Sequence, residues 1–354
     1  MNVRALAMMV GLLLAVEVCP AQTVGSSPPG GAPAASAPAV SSQEAEFATF
    51  GVRVSPPAAW KRLPEDQANI IGKWGAGANP ASSTGEYPTI VIAEIIEARG
   101  SKAKQVAEET ARKAGGEAKQ EPLGLGDEQT WRVTLPRSAA SPAAHALVAV
   151  HDQYLYRVSS YAMAEGADAL GALEDLRRTW SFVEMTRPSQ SMGLRDEALV
   201  YLDKLTMKPA AVLRPKPLAP DNKSHGKAQE YQIFNYRSGR ADMIMTMEVD
   251  RRPAKLSLEQ IGQALLKQMS LRNDPEHPIT WKKIEGAKDG VICTPFPGAR
   301  TGSRTVPLRF ALVGLDDNNL LLLGYVFPTG DKVDVETYQD LSEAMARTVE
   351  PIKK

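Results

Sequence analysis

Three methionines on one apolar segment have the residue type and spacing of a metal site. Met243, Met245 and Met247 occupy every second position of a strand-like segment, so their side chains point to the same face. Thioether sulfur is a soft ligand, and soft ligands select Cu(I). An earlier segment of similar pattern carries plain apolar residues at the corresponding positions, Val91, Ala93 and Ile95. A methionine-rich core strand is therefore the favoured interpretation, and a copper site in a carrier protein is the alternative.

The sequence contains no pattern typical of an enzyme. Its 4 histidines include no His-x-x-x-His or His-Glu-x-x-His spacing, so a zinc enzyme would lack its ligands. No phosphate loop and no Gly-x-Ser-x-Gly turn occur. Cys293 lies in an apolar strand-like run, which favours a buried core thiol. We therefore predict no enzyme activity, no catalytic residue and no cofactor, and a hydrolase with a scattered site is the least favoured alternative.

Two tryptophans are the candidates for contact with a partner. Trp60 follows Pro56 and Pro57 on a predicted loop, and Trp74 precedes Gly75 at the end of a predicted strand. An exposed tryptophan on a loop is a typical anchor of a protein interface. The alternative for each is a side chain folded over the edge of a sheet.

The elements that position these residues follow from hydrophobic periodicity. In the first half, a helix begins near Ser101 and ends at Gly115, and a second helix spans 167–182. Alternating or apolar runs predict strands at 50–55, 70–74, 89–98, 129–135, 144–150 and 154–162.

The second half repeats this order of elements. Residues 145–183 align with residues 310–348 without a gap, which places Asp152 on Asp317 and Asp175 on Asp340. Ser257 caps a predicted helix, and a second helix carries Tyr338 and Met345 on one face. Strands are predicted at 231–236, 241–249, 290–294, 306–315 and 320–327.

The first half resembles the PsbP-like superfamily. The resemblance rests on Val52-Arg-Val-Ser-Pro-Pro-Ala-Ala-Trp60, on the β-β-α-β-β-β-α order and on Trp180-Ser-Phe. It covers nearly all of residues 47–184 and is weaker over 197–350, where no Pro-x-x-Trp stands at the matching place. The resemblance implies binding and assembly roles, with no shared catalytic residues. It predicts an α+β fold of two tandem α/β/α sandwiches, each a mainly antiparallel sheet with two helices.

The N-terminus has the layout of a secretory signal peptide. A positive start at 1–4 precedes an apolar run at 5–16, and small residues at Cys19 and Ala21 offer a cleavage site before Gln22. We predict a signal peptide at 1–21 and a flexible Pro/Ala/Ser-rich tether at 22–44. An uncleaved membrane anchor and lipid modification of Cys19 are the alternatives. The mature protein is predicted to be periplasmic or extracellular, with no transmembrane span.

The charge balance argues against nucleic acid as a partner, because 41 basic residues face 41 acidic ones. We predict one domain at 45–186, a linker at 187–196 and a second domain at 197–354. The favoured function is a non-enzymatic binding or accessory role through protein contacts in the cell envelope. The alternative is a carrier that holds a small ligand or metal in the groove between the domains or on the methionine strand.

Overall fold

The computed structural model of the protein describes residues 46–65, 67, 69–77, 87–139, 141–191, 193–216, 228–253, 255–268, 278–301, 304–329 and 331–352. The predicted signal peptide, the tether and Cys19 lie outside these residues. None of the helices in the described part of the chain combines the length and apolar character that a membrane crossing requires. We refer to the described residues up to 191 as the first half and to those from 193 onward as the second half.

The first half is built on a seven-stranded antiparallel sheet with the strand order β2-β3-β4-β8-β7-β6-β5. A separate pair, β1 with β9, lies outside that sheet. The elements are β1 (Val52–Arg53), β2 (Lys61–Arg62), β3 (Ile70–Ala76), β4 (Thr89–Glu97), α1 (Ala103–Ala114), β5 (Glu117–Gln120), β6 (Thr130–Leu135), β7 (Ala143–His151), β8 (Tyr154–Ala162), α2 (Ala169–Arg178) and β9 (Ser181–Phe182).

The two helices of the first half lie on opposite faces of this sheet. Helix α1 buries Ala103, Ala107 and Ala111 against one face, and helix α2 packs Leu173 and Leu176 into the core on the other. Successive residues of a strand point to opposite faces, so β7 supplies side chains to both cores. Residues 47–54 join α2 in covering the second face.

The second half has an eight-stranded antiparallel sheet whose main path, β12-β13-β14-β19-β18-β16-β15, follows the same order of elements. Strand β17 pairs with β18 off this path, and β10, β11 and β20 form a small sheet of their own. The elements are β10 (Leu199–Tyr201), β11 (Leu205–Met207), β12 (Arg214–Pro215), β13 (Ala228–Asn235), β14 (Arg240–Arg251), α3 (Leu258–Gln268), β15 (Trp281–Lys283), β16 (Gly290–Cys293), β17 (Phe296–Thr301), β18 (Arg304–Gly314), β19 (Asn319–Val326), α4 (Lys332–Arg347) and β20 (Glu350–Pro351).

The predicted α+β class of two α/β/α sandwiches is wrong, because strands hold 41% of the described residues and helices only 21%. Seven or eight strands at a spacing of about 4.8 Å span roughly 35 Å, whereas a helix is about 10 Å wide. One helix therefore covers only part of a sheet face and does not form a layer. Irregular segments and short strands cover the remainder, and the described chain is mainly antiparallel β-sheet.

The segment predicted as a linker, 187–196, packs onto the second half. Pro188–Ser191 forms a turn of 3-10 helix. The Ser189 hydroxyl donates a hydrogen bond to Asp334, and Arg187 lies 3.1 Å from Asp331. These contacts hold the segment at the start of α4, where it leads into the junction between the halves.

Candidate functional site

A groove of about 1390 Å³ lies between the two halves. The first half contributes the end of β4 and the turn that joins β7 to β8. The second half contributes β10, residues 209–216 and the hairpin formed by β13 and β14. The groove therefore exists only because the two sheets of the chain lie side by side.

Aromatic side chains form the junction beside the groove. The Tyr236 ring from the second half lies 5.4 Å from Phe50 and 5.7 Å from Tyr154 of the first half. The Tyr154 hydroxyl donates a hydrogen bond of 2.6 Å to the carbonyl oxygen of Tyr236. Phe234, near the end of β13, packs against Tyr236. Both rings lie against the first-half core, so this junction continues that core into the second half.

Five charged side chains from both halves meet at one end of the groove, and we call them the charge cluster: Glu46, Arg62, Glu65, Arg195 and Arg214. Arg62 binds both acids, with an Nη1–Oε2 distance of 2.6 Å to Glu46 and an Nη2–Oε1 distance of 2.8 Å to Glu65. Arg214 reaches Glu46 at 2.8 Å, and Arg195 reaches Glu65 at 2.7 Å. Two residues of the first half are thus ion-paired to two of the second.

Arg214 is fully satisfied in this cluster. Its side chain is 2% exposed. Its Nε donates to the carbonyl oxygen of Ile70 at 2.9 Å, and Nη2 donates to that of Ile71 at 3.1 Å and to Glu46. Nη1 donates to the carbonyl oxygens of Ala211 and Leu213. The guanidinium fills the edge of β3 that the two-residue β2 leaves open, which is why it can be buried at so little cost.

The hydrogen-bonding groups of Arg195 are only partly satisfied, although its side chain is nearly buried, with 8% of its surface exposed. Its Nη2 approaches the carboxylates of Glu46 and Glu65 and donates a hydrogen bond to the carbonyl oxygen of Ala211. Its Nε is buried without a hydrogen-bond partner among the described residues. The side chain lines the groove. Arg195 therefore brings unused hydrogen-bonding capacity and a positive charge to the groove wall.

The cluster keeps both carboxylates ionised. Burial raises the pKa of Glu65, but Arg214, Arg62 and Arg195 outweigh this and lower it to about 2. Burial likewise raises the pKa of Glu46, and the charge and hydrogen bonds of Arg62 reverse the shift, so that the pKa falls below its usual range. Burial lowers the pKa of Arg195, and Arg62 and Arg214 add to this effect while Glu65 opposes it.

The methionines proposed as copper ligands lie in the core of the second half. Met243, Met245 and Met247 are all 0% exposed and pack with Ile233 and Leu323. Among the described residues, no group of three or more His, Cys, Asp or Glu side chains is arranged to hold a metal. The thioethers fill core space here, and an ion could reach them only if the core opened.

The two tryptophans proposed as anchors occupy different environments. Trp74 is 1% exposed and packs edge-on against Phe47 at 6.0 Å, so a partner could contact it only after the core opened. Trp60 is partly buried at the margin of the same core. Neither residue lines the groove, and a role in partner contact stays a prediction for both.

Sequence reasoning missed the charge cluster, because its five members come from four separate stretches of the chain. A local signal did exist. Glu46 stands beside the apolar Phe47, and Arg214 directly follows the apolar run 210–213. A charged residue inside an apolar run is buried only when it is paired. That pattern marks candidates, but it does not say which of them meet.

Comparisons with known proteins give no family for this chain. No protein-family model matches it, and no curated protein matches it. A crystal structure from Bacteroides thetaiotaomicron VPI-5482 is 11% identical over 45% of this chain, has a TM-score of 0.29 and is matched over about half of its own length, 49%. The apo structure of the T6SS immunity protein TplEi from Pseudomonas aeruginosa is 9% identical over 83% of this chain and 97% of its own, with a TM-score of 0.25.

A third structure, the di-domain ARO/CYC StfQ from the steffimycin biosynthetic pathway, is 8% identical over 85% of this chain and 94% of its own, with a TM-score of 0.14. Similarities this low carry no argument about fold or function. They give no support to membership of the PsbP-like superfamily, which stays a prediction.

Proposed function

We propose that this protein is an exported, non-enzymatic binding protein that holds a segment of a partner protein in the groove between its halves. The size of the groove is the observation that carries the proposal. Typical small-molecule pockets measure roughly 300–1,000 Å³, whereas this groove measures about 1390 Å³. A space of that volume suits a stretch of polypeptide better than a single small ligand.

The chemistry of the groove wall also suits a polypeptide. Val200 and Ile96 are large apolar side chains that line the groove and remain 60% and 40% exposed. Tyr201 and Tyr231 form an edge-to-face pair at 5.4 Å in the same wall. Interfaces combine apolar and aromatic contact area of this kind with a polar rim, and here Gln229 and Gln232 supply polar groups nearby.

Export is the second part of the proposal and rests on the first 21 residues alone. A positive start, an apolar run and small residues before Gln22 make up this signal-like segment. Expression of the full chain in a Gram-negative host followed by N-terminal sequencing of the periplasmic fraction tests it. We expect a mature chain that begins at Gln22. Full-length protein retained in the cytoplasm would contradict export, and lipid-modified Cys19 in the membrane fraction would favour anchoring instead.

Selection from a library of random dodecapeptides tests the binding function. We expect the mature protein to enrich a set of related peptides. The double variant Val200→Gln/Ile96→Gln should bind them at least about tenfold more weakly, because two apolar contacts worth roughly 1 kcal/mol each are lost. The matched control is Leu170→Gln/Val333→Gln, since these side chains are 39% and 69% exposed and lie outside the groove. Failure to enrich any peptide, or equal binding by both double variants, contradicts the proposal.

A further inference from the structure

The charge cluster contains more positive than negative charge. Three arginines face two glutamates, and all five side chains are at least four-fifths buried. Charges interact more strongly in such an environment than in water, because little solvent is present to screen them. One positive charge in this cluster is therefore left without a compensating anion among the described residues.

The excess charge is available at Arg195 rather than at the other two arginines. Arg214 uses Nε, Nη1 and Nη2 in hydrogen bonds. Arg62 does the same with the two glutamates. Arg195 donates to Ala211 and pairs with Glu65 through Nη2, has a buried Nε without a hydrogen-bond partner among the described residues, and lines the groove. An anion placed at this end of the groove would meet Arg195 first.

The other charged residues that line the groove are paired locally. Glu97 lies 3.2 Å from Arg99, and Lys216 lies 2.9 Å from Glu230. Arg237, also at the groove, lies 3.8 Å from an acid of the first half, Glu184. Arg195 shares Glu65 with two other arginines. Among the described groove residues, the uncompensated charge is thus concentrated at one point.

We propose that Arg195 is the recognition point for a single carboxylate of the polypeptide segment that occupies the groove, an inference that rests on the proposed function. A guanidinium group matches the geometry of a carboxylate and forms short charge-assisted hydrogen bonds with it. One carboxylate balances the one excess charge. A dianionic phosphate would overcompensate it, and Glu65, which contacts Arg195 at 2.7 Å, would repel a dianion more strongly than a single carboxylate.

The test compares peptides that differ only in this carboxylate. Peptides enriched from the dodecapeptide library are synthesised with each carboxylate, including the C-terminal one, replaced in turn by a carboxamide. We expect one replacement to weaken binding to the wild-type protein at least about tenfold. Acetate should compete with the intact peptide, whereas acetamide should not, and inorganic phosphate should compete less well than acetate.

The protein variant Arg195→Gln completes a double-mutant cycle. Glu65 keeps both of its contacts with Arg62 in this variant, and the remaining two arginines balance the two glutamates, so we expect it to fold. It should bind the carboxylate peptide at least about tenfold more weakly than wild type and the carboxamide peptide equally well. Arg178→Gln is the matched control, because Arg178 is exposed on α2 and lies outside the groove.

The outcomes separate the two proposals. Peptides that bind the groove equally well with and without any carboxylate would overturn the role of Arg195 and leave the binding function standing. If Arg195→Gln weakened binding of the carboxylate peptide and of the carboxamide peptide by the same factor, the role of Arg195 would likewise be overturned and the binding function would stand. Failure of the wild-type protein to enrich any peptide would overturn both. If Arg195→Gln does not fold, the carboxamide series and the acetate competition on the wild-type protein still decide the question.

Discussion

Arg214 and Arg195 differ in how many of their guanidinium nitrogens have hydrogen-bond partners in the protein. We infer different roles for them from this difference. Arg214 donates to backbone carbonyls on both sides of the junction, so its burial is compensated and its contribution is structural. Arg195 keeps one donor, its Nε, without a hydrogen-bond partner among the described residues, and its side chain lines the groove. A buried polar group left unsatisfied costs roughly 1–3 kcal/mol, and a binding site is a place where such a cost is recovered when the ligand arrives.

Replacement of Arg214 by methionine should destabilise the protein strongly. The change leaves Glu46 with one fewer arginine and deprives the carbonyl oxygens of Ile70 and Ile71 of their donor. Breaking a buried ion pair by removing one partner costs about 3–5 kcal/mol, and we expect that range for the free energy of unfolding in urea. Arg178→Met, on the surface of α2, should change it by less than about 0.5 kcal/mol. Similar losses in the two variants would contradict a structural role for Arg214.

Acid should weaken the charge cluster through Glu65. The three arginines lower the pKa of Glu65 from 4.5 to about 2, against the effect of burial. A group with a lowered pKa in the folded state contributes stability that is fully present above about pH 4.5 and is lost as the pH falls to about 2. The contribution is of order 3 kcal/mol.

Urea unfolding of wild type and Glu65→Gln between pH 7 and pH 2 checks this expectation. The two proteins should differ in stability most above about pH 4.5 and converge near pH 2. Glu285→Gln, on an exposed turn, should follow the wild-type curve throughout. A difference between wild type and Glu65→Gln that does not change with pH would mean that the carboxylate charge is not the source of the stability.

Sequence periodicity located most of the long elements but not the width of the sheets. Helix α1 ends at Gly115, which adopts the left-handed conformation expected of a helix stop. The Ser257 hydroxyl accepts a hydrogen bond from the Gln260 amide at the start of α3, as a cap does. Periodicity does not predict the three- and four-residue strands β5, β11 and β15, because so short a segment shows no alternation to recognise. Their omission concealed how much of the chain is sheet.

Helix α3 offers a test in which packing opposes intrinsic helix propensity. Gly262 lies inside the helix, where replacing glycine by alanine ordinarily stabilises a protein by up to about 1 kcal/mol. A Cβ atom at Gly262, however, would lie 2.3 Å from the Trp281 ring. We expect Gly262→Ala to lower the free energy of unfolding by about 1–3 kcal/mol, because the ring must move.

Gly193→Ala is the control for this change. A Cβ atom at Gly193 would meet nothing within 4 Å, so the same substitution there should leave stability unchanged or slightly raised. Chemical denaturation monitored by circular dichroism gives both values. A stabilised Gly262→Ala variant would mean that Trp281 does not pack across this face of the helix.

At the scale of the whole molecule, the groove and the charge cluster depend on contacts between residues that lie far apart in the sequence. The bond between Arg214 and Glu46 joins residues 168 positions apart. The sequence predicted a groove between two units, because the order of elements repeats within one chain. It could not predict which charged side chains meet there, because nothing in local spacing encodes the relative position of two sheets.

Those contacts predict that the two halves unfold together. Tyr236 belongs to the second half by sequence, but its ring packs in the core of the first half against Phe50 and Tyr154. The chain has five tryptophans, and Trp281 alone lies in the second half. Fluorotryptophan labelling therefore gives a ¹⁹F NMR signal for each half. All native signals should disappear at the same urea concentration, as two-state unfolding requires.

Tyr236→Ala distinguishes coupled halves from independent ones. Loss of a buried aromatic side chain costs about 3–5 kcal/mol. Because Tyr236 anchors the second-half chain in the first-half core, we expect the native signals of Trp281 and of the first-half tryptophans to shift to lower urea by the same amount. Tyr161→Ala, at a partly exposed end of β8, should shift both by less. If the Trp281 signal kept its midpoint while the first-half signals moved, the halves would be independent, and the groove between them would lack the fixed shape that binding a peptide segment requires.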